Sequence, residues 1–107
     1  MDPLIERRTV AEAELLALAG GESLCTISRS VGPVDGAKHA EGRLVALTEV
    51  GRSVGSGANL REATTSALDT WRTHLDLVRD HDRGSGWIAY RAGGVDELEA
   101  LLGDLAD

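Results

Sequence analysis

The chain of 107 residues is long enough for one domain with its own apolar core, and a hydrophobic content of 42% excludes wholesale disorder. Its 18 acidic residues against 11 basic ones leave a net charge of −7, which repels phosphate backbones and argues against nucleic-acid binding. No apolar run approaches the ~20 residues of a membrane span and no signal peptide is visible, so a cytoplasmic protein with no membrane partner is expected.

Leucine, alanine and valine supply most of the apolar material; phenylalanine is absent, and Trp71, Trp87 and Tyr90 are the only aromatic residues. Lys38 is the single lysine among arginines, which with abundant alanine and glycine points to a GC-rich bacterial source. The lone Cys25 excludes an intramolecular disulfide and a cysteine-only zinc site, and reads as a buried structural thiol.

Residues 1–8 read as a polar leader, ahead of a single domain over 9–107. Thr9 with Glu12 three residues on has the form of a capping box, opening a short helix that carries Ala11, Leu15 and Leu18 through Ala19. Gly20 and Gly21 stop it. Ser23 to Arg29 alternates and contains β-branched residues, which predicts a strand, and 31–36 is a glycine- and proline-bearing loop.

The next segment admits two readings. Ala37, Ala40, Leu44 and Leu47 step by three and four, which predicts a helix over 37–53 capped by Asp35; the same stretch offers a strand over 43–49. The helix is preferred, although Gly42 and Gly51 each cost it about 1 kcal/mol relative to alanine. Gly55 to Gly57 then link it to the most secure element, a helix over 59–83. There Leu60, Ala63, Leu68, Trp71, Leu75 and Val78 share one face, Asn59 and Glu62 form a capping box, and Gly84 is the stop. Trp71, the largest side chain of that face, is expected to be buried and central.

Trp87 to Arg91, set between Gly84-Ser85-Gly86 and Gly93-Gly94, reads as the clearest strand. Asp96 with Glu99 then predicts the start of a final helix carrying Leu98, Leu101, Leu102 and Leu105. The expected fold is therefore α+β: four helices, with a central antiparallel helix hairpin packed on a two-stranded sheet, in the order α-β-α-α-β-α. Two short strands leave unpaired edges, and Trp87, Ile88 and Tyr90 exceed what one small sheet face can cover. Self-association as a two-fold homodimer follows as an expectation.

The stretch from Glu49 to Trp71 resembles the Gly-x-Thr-x-x-Glu-Ala segment of HicB-like antitoxins, with Gly57, Asn59, Leu60, Glu62 and Ala63 in matching places. The resemblance implies a partly open sheet and an RNase toxin as partner. The chain departs from the pattern in three ways: no proline-flanked strand precedes the segment, Asn59 stands where Thr or Ser is usual, and no DNA-binding segment follows. The resemblance covers under a quarter of the chain and is not adopted.

No motif specifies a catalytic residue. Gly55-Ser56-Gly57 lacks the Gly-Lys-Ser/Thr ending of a phosphate loop, and no Gly-x-Ser-x-Gly elbow occurs. His74 and His81 are seven apart, about 10 Å along a helix, too far to share a metal, so no metal or other cofactor is expected. The polar groups best placed to line a pocket are His39 and Arg43, one turn apart, and His74 at the border of the Trp71 stripe. Two functions compete: a non-catalytic regulatory or protein-interaction module, suited by its acidity to a basic protein partner, and a small-molecule-binding protein or small enzyme. The second would use a pocket between helix hairpin and sheet, lined by His39, Arg43 and His74.

Overall fold

The structure, a computed structural model, describes residues 2–19, 33–81 and 84–105. Among them are four α-helices and no strand: α1 Pro3–Ala19, α2 Pro33–Gly55, α3 Leu60–Asp80 and α4 Ser85–Leu105. The described part is thus all-helical and the expected α+β class is overturned. The strand expected over Ser23–Arg29, with Cys25, lies outside the described residues.

Local chemistry sets most helix ends. The Asp2 carboxylate accepts the Leu4 amide at 2.9 Å, with Pro3 beside it at the first helical position, so α1 starts six residues before Thr9. The expected leader is therefore the first turns of a helix in which Leu4 is buried. Thr9, expected as the cap, instead sits mid-helix and donates its hydroxyl to the Ile5 carbonyl.

Residues 37–53 are helical as the three-four spacing requires, but α2 begins at Pro33, which leaves Asp35 inside the first turn. It ends in a Schellman turn. Gly57, at φ +107°, donates its amide to the Val54 carbonyl, and the Ala58 amide reaches back to Ser53. Asn59 follows at once as the cap of α3, accepting the amides of Arg61 and Glu62 at 3.0 and 3.3 Å. The α2–α3 hairpin is the one the sequence predicts.

The largest correction falls on Trp87–Arg91, which forms the first turns of α4. Gly93 and Gly94, expected to end a strand, lie in the middle of that helix and are buried. A Cβ at Gly42 would overlap the Tyr90 carbonyl, and one at Gly93 would overlap that of His39, so α2 and α4 touch backbone to backbone. Gly94 makes room for the Trp71 ring, whose indole would collide with any Cβ there. Glycine lowers helix propensity by about 1 kcal/mol, yet here it permits backbone-to-backbone contact between α2 and α4. The residues expected to cap a separate helix also stand inside α4: Asp96 meets His39 and Glu99 meets Arg72.

Trp71 is the centre of the core, 1% exposed, with Leu47, Val50, Leu68, Leu98 and Leu101 buried in the same cluster. Its indole N–H donates to Glu49 at 2.9 Å. The short connection from Gly55 to Leu60 turns α3 back along α2, and the pairings of Arg61 with Leu105 and Arg72 with Glu99 show that α3 runs antiparallel to α4. The N-terminal ends of α2 and α4 therefore meet the C-terminal end of α3 at one end of the bundle.

α1 packs on α2 and α4 through buried Leu4 and Ala11 and through a network of ion pairs. Glu97, only 2% exposed, accepts from Arg7 at 2.6 Å and from Arg43 at 2.9 Å. Arg7 also binds Asp104 at 2.7 Å, and Arg43 also binds Glu14. The Asp104 hydrogen bond leads in raising Arg7 above its ordinary range, against the effect of burial and with help from Glu97. For Arg43 burial pulls the other way, but Glu97 and Glu14 outweigh it.

Candidate functional site

The end of the bundle where α3 closes and α4 opens carries an open cleft of about 390 Å³. Its α3 wall is His74, Leu77, Val78 and His81, the i, i+3, i+4, i+7 face of one helix; its α4 wall is Trp87 and Arg91, one turn apart. Trp87 is 57% exposed and Leu77 48%; Ile5, Val10 and Leu16 on α1 are exposed to a similar or greater degree, but Trp87 and Leu77 face each other across a cleft. A second cleft of about 310 Å³ lies on the far side of Trp87, lined by Lys38, Glu41, Gly86 and Tyr90. Trp87 is thus a ridge between two grooves.

An aromatic stack supports the ridge. Trp87 meets Tyr90 edge to face, with ring centroids 6.0 Å apart, and Tyr90 tilts against Trp71 at 5.3 Å. The Arg91 guanidinium lies 4.7 Å from the Trp71 ring centre and 5.3 Å from that of Tyr90, which holds its charge in place by cation–π attraction. Burial pushes the Tyr90 phenol above its ordinary range; Arg91 opposes this, and Glu41 and Glu49 add to it.

Polar groups on the α3 wall differ in how they are satisfied. The Nδ1 of His81 lies 2.9 Å from the Leu77 carbonyl; a carbonyl only accepts, so Nδ1 carries the hydrogen. The Nδ1 of His74 is buried and has no hydrogen-bond partner among the described residues.

The three residues that sequence reasoning placed around one pocket have different surroundings. His39 faces α4 through Asp96, 3.0 Å from its Nε2. Arg43 is joined to Glu97 and Glu14 and borders a polar recess with Arg7 and Asp104. His74 alone of the three lines the Trp87 cleft. Sequence reasoning did not place Leu77 or Arg91 in a site, and took Trp87 as part of a sticky strand. Reading 85–105 as one helix would have put Trp87 and Arg91 on one face.

Among the described residues no group of three or more His, Cys, Asp or Glu side chains is placed to hold a metal ion, and no helix is long and apolar enough to cross a membrane. What the cleft offers is a cation set beside apolar walls. Comparison with protein-family models, curated proteins and solved structures finds no match to the chain.

Proposed function

We propose that the chain is a small, acidic, non-catalytic interaction module of a bacterial cytoplasm, and that it binds another protein through the Trp87 end of the bundle. The observation that carries this reading is Trp87 itself, more than half exposed on a rigid aromatic support between two grooves. Tryptophan and arginine together are the residue types that dominate binding energy at protein interfaces, and a pre-ordered anchor loses little entropy on binding. The Glu97 network holds α1 and does not line this cleft.

The competing reading, a small-molecule site, has no sheet among the described residues to form its second wall. It would fall on the same α3–α4 cleft. Self-association is a separate reading: its sheet-edge argument loses its premise among the described residues, and a two-fold dimer would now have to use exposed helix faces.

Affinity capture of the tagged full chain from its native host, beside a Trp87→Ala variant, tests the proposal. A protein recovered in stoichiometric amount with wild type and lost with the variant, at unchanged melting temperature, is the expected result. A partner that Trp87→Ala retains, or a metabolite that raises the melting temperature of both forms equally, would overturn it. Sedimentation equilibrium at micromolar concentration separates a homodimer from a heterologous partner.

A further inference from the structure

We infer that the Trp87 surface receives a partner segment in which a carboxylate stands beside a bulky apolar side chain, and that Arg91 takes the carboxylate. The inference rests on the reading of this end as a docking surface and names what docks there.

Three observations converge on it. First, the local charge is opposite to that of the chain: among the described residues the first cleft is lined by one cation, Arg91, and by no acidic side chain, although acidic residues outnumber basic ones by 18 to 11 overall. The one acid of the second cleft, Glu41, is already joined to Lys38 at 3.3 Å. An acidic side chain entering from outside meets a cation and, among the described lining residues, no repelling neighbour; a basic one meets Arg91.

Second, Arg91 is held but not satisfied. Its face lies over Trp71 and Tyr90, while the five N–H donors of a guanidinium lie in its plane. Arg91 has no carboxylate partner among the described residues; Arg8, Arg52, Arg61 and Arg79 have none either, but of these five only Arg91 lines the Trp87 cleft with its face stacked on aromatic rings. A stacked guanidinium with free edges is pre-organised for a bidentate carboxylate.

Third, the grooves run on past one side chain. The two clefts share Trp87, so a chain segment laid across the ridge would fill both, with apolar groups against Leu77, Val78 and Trp87. A free small acid would fill only one. The −7 net charge still governs long-range steering toward a partner that is basic overall, and the docked segment answers to the local lining.

The test is selection of a displayed random-peptide library on the full-length chain, followed by anisotropy titration of the recovered peptides. Expected are peptides with Asp or Glu next to Leu, Phe or Trp. Their binding should fall about ten- to a hundredfold with Arg91→Gln, fall less with Arg91→Lys, and weaken with salt. Circular-dichroism melting of each variant shows whether the fold is retained, and Glu→Gln in the peptide repeats the test on unaltered protein. Peptides that need Trp87 but carry no acidic residue, or are indifferent to Arg91→Gln and to their own Glu→Gln, would overturn this inference and leave the docking surface standing. Recovery of no Trp87-dependent peptide would overturn both.

Discussion

Gly42 on α2 stands against the backbone carbonyl of Tyr90 on α4, so closely that no side chain fits between the two helices. One turn along α4, Gly93 stands in the same relation to the His39 carbonyl. These two contacts fix how far apart the helices sit, and through Tyr90 and Arg91 they fix the height of the aromatic support beneath Trp87.

Alanine at Gly42 or Gly93 is therefore expected to force α2 from α4 and destabilise the fold by about 1–3 kcal/mol or more, because backbone cannot move aside as a flexible side chain can. Gly103 provides the contrast. It lies in the same helix with nothing within 4 Å of its would-be Cβ, and Gly103→Ala should stabilise by roughly 0.5–1 kcal/mol. Urea denaturation of the three variants checks both signs; equal effects at Gly42 and Gly103 would show that the close approach is not what these glycines serve.

Glu97 predicts a large cost for a single polar change. It is 2% exposed between Arg7 and Arg43, and removing one member of a buried ionic group strands the others. Glu97→Ala should cost about 3–5 kcal/mol. Glu99→Ala, two residues on, breaks only the half-exposed pair with Arg72 and should cost about 0–1 kcal/mol. Amide exchange should also show α1 loosening first in Glu97→Ala, since Leu4 and Ala11 are its only buried apolar anchors among the described residues.

Tyr90 is the only tyrosine, so absorbance near the phenolate band titrates it alone. Burial raises its folded-state pKa above the ordinary 10.0, which means the folded protein holds the proton more tightly than the unfolded chain. Its contribution to stability is then fully present below pH 10.0 and is lost as pH rises through the folded value. The phenol should titrate above 10.0 in the native protein, and Arg91→Gln should move the midpoint higher by removing the cation that favours phenolate. A midpoint at the ordinary value would show that the ring is open to water.

The sequence by itself determined the elements whose signals are local. Asn59, the three-four spacing from Leu60 to Val78 and the burial of Trp71 are readable because a cap acts within one turn and an apolar stripe seeks any apolar neighbour. The helix over 37–53 was readable for the same reason, despite Gly42. Only the tertiary structure decided α4. Trp87–Arg91 between glycines has the local preferences of a strand, and nothing in its neighbourhood says that Gly93 and Gly94 meet a backbone and an indole rather than end an element. Glycine carries no side chain to announce its partner; its meaning lies in what packs against it. The same holds for the site. His39 and Arg43 are conspicuous polar residues in sequence, yet helix packing joins them to Asp96, Glu97 and Glu14. Arg91 becomes an anion-binding candidate only when the α3–α4 crossing lays its guanidinium over Trp71 and sets Leu77 opposite Trp87.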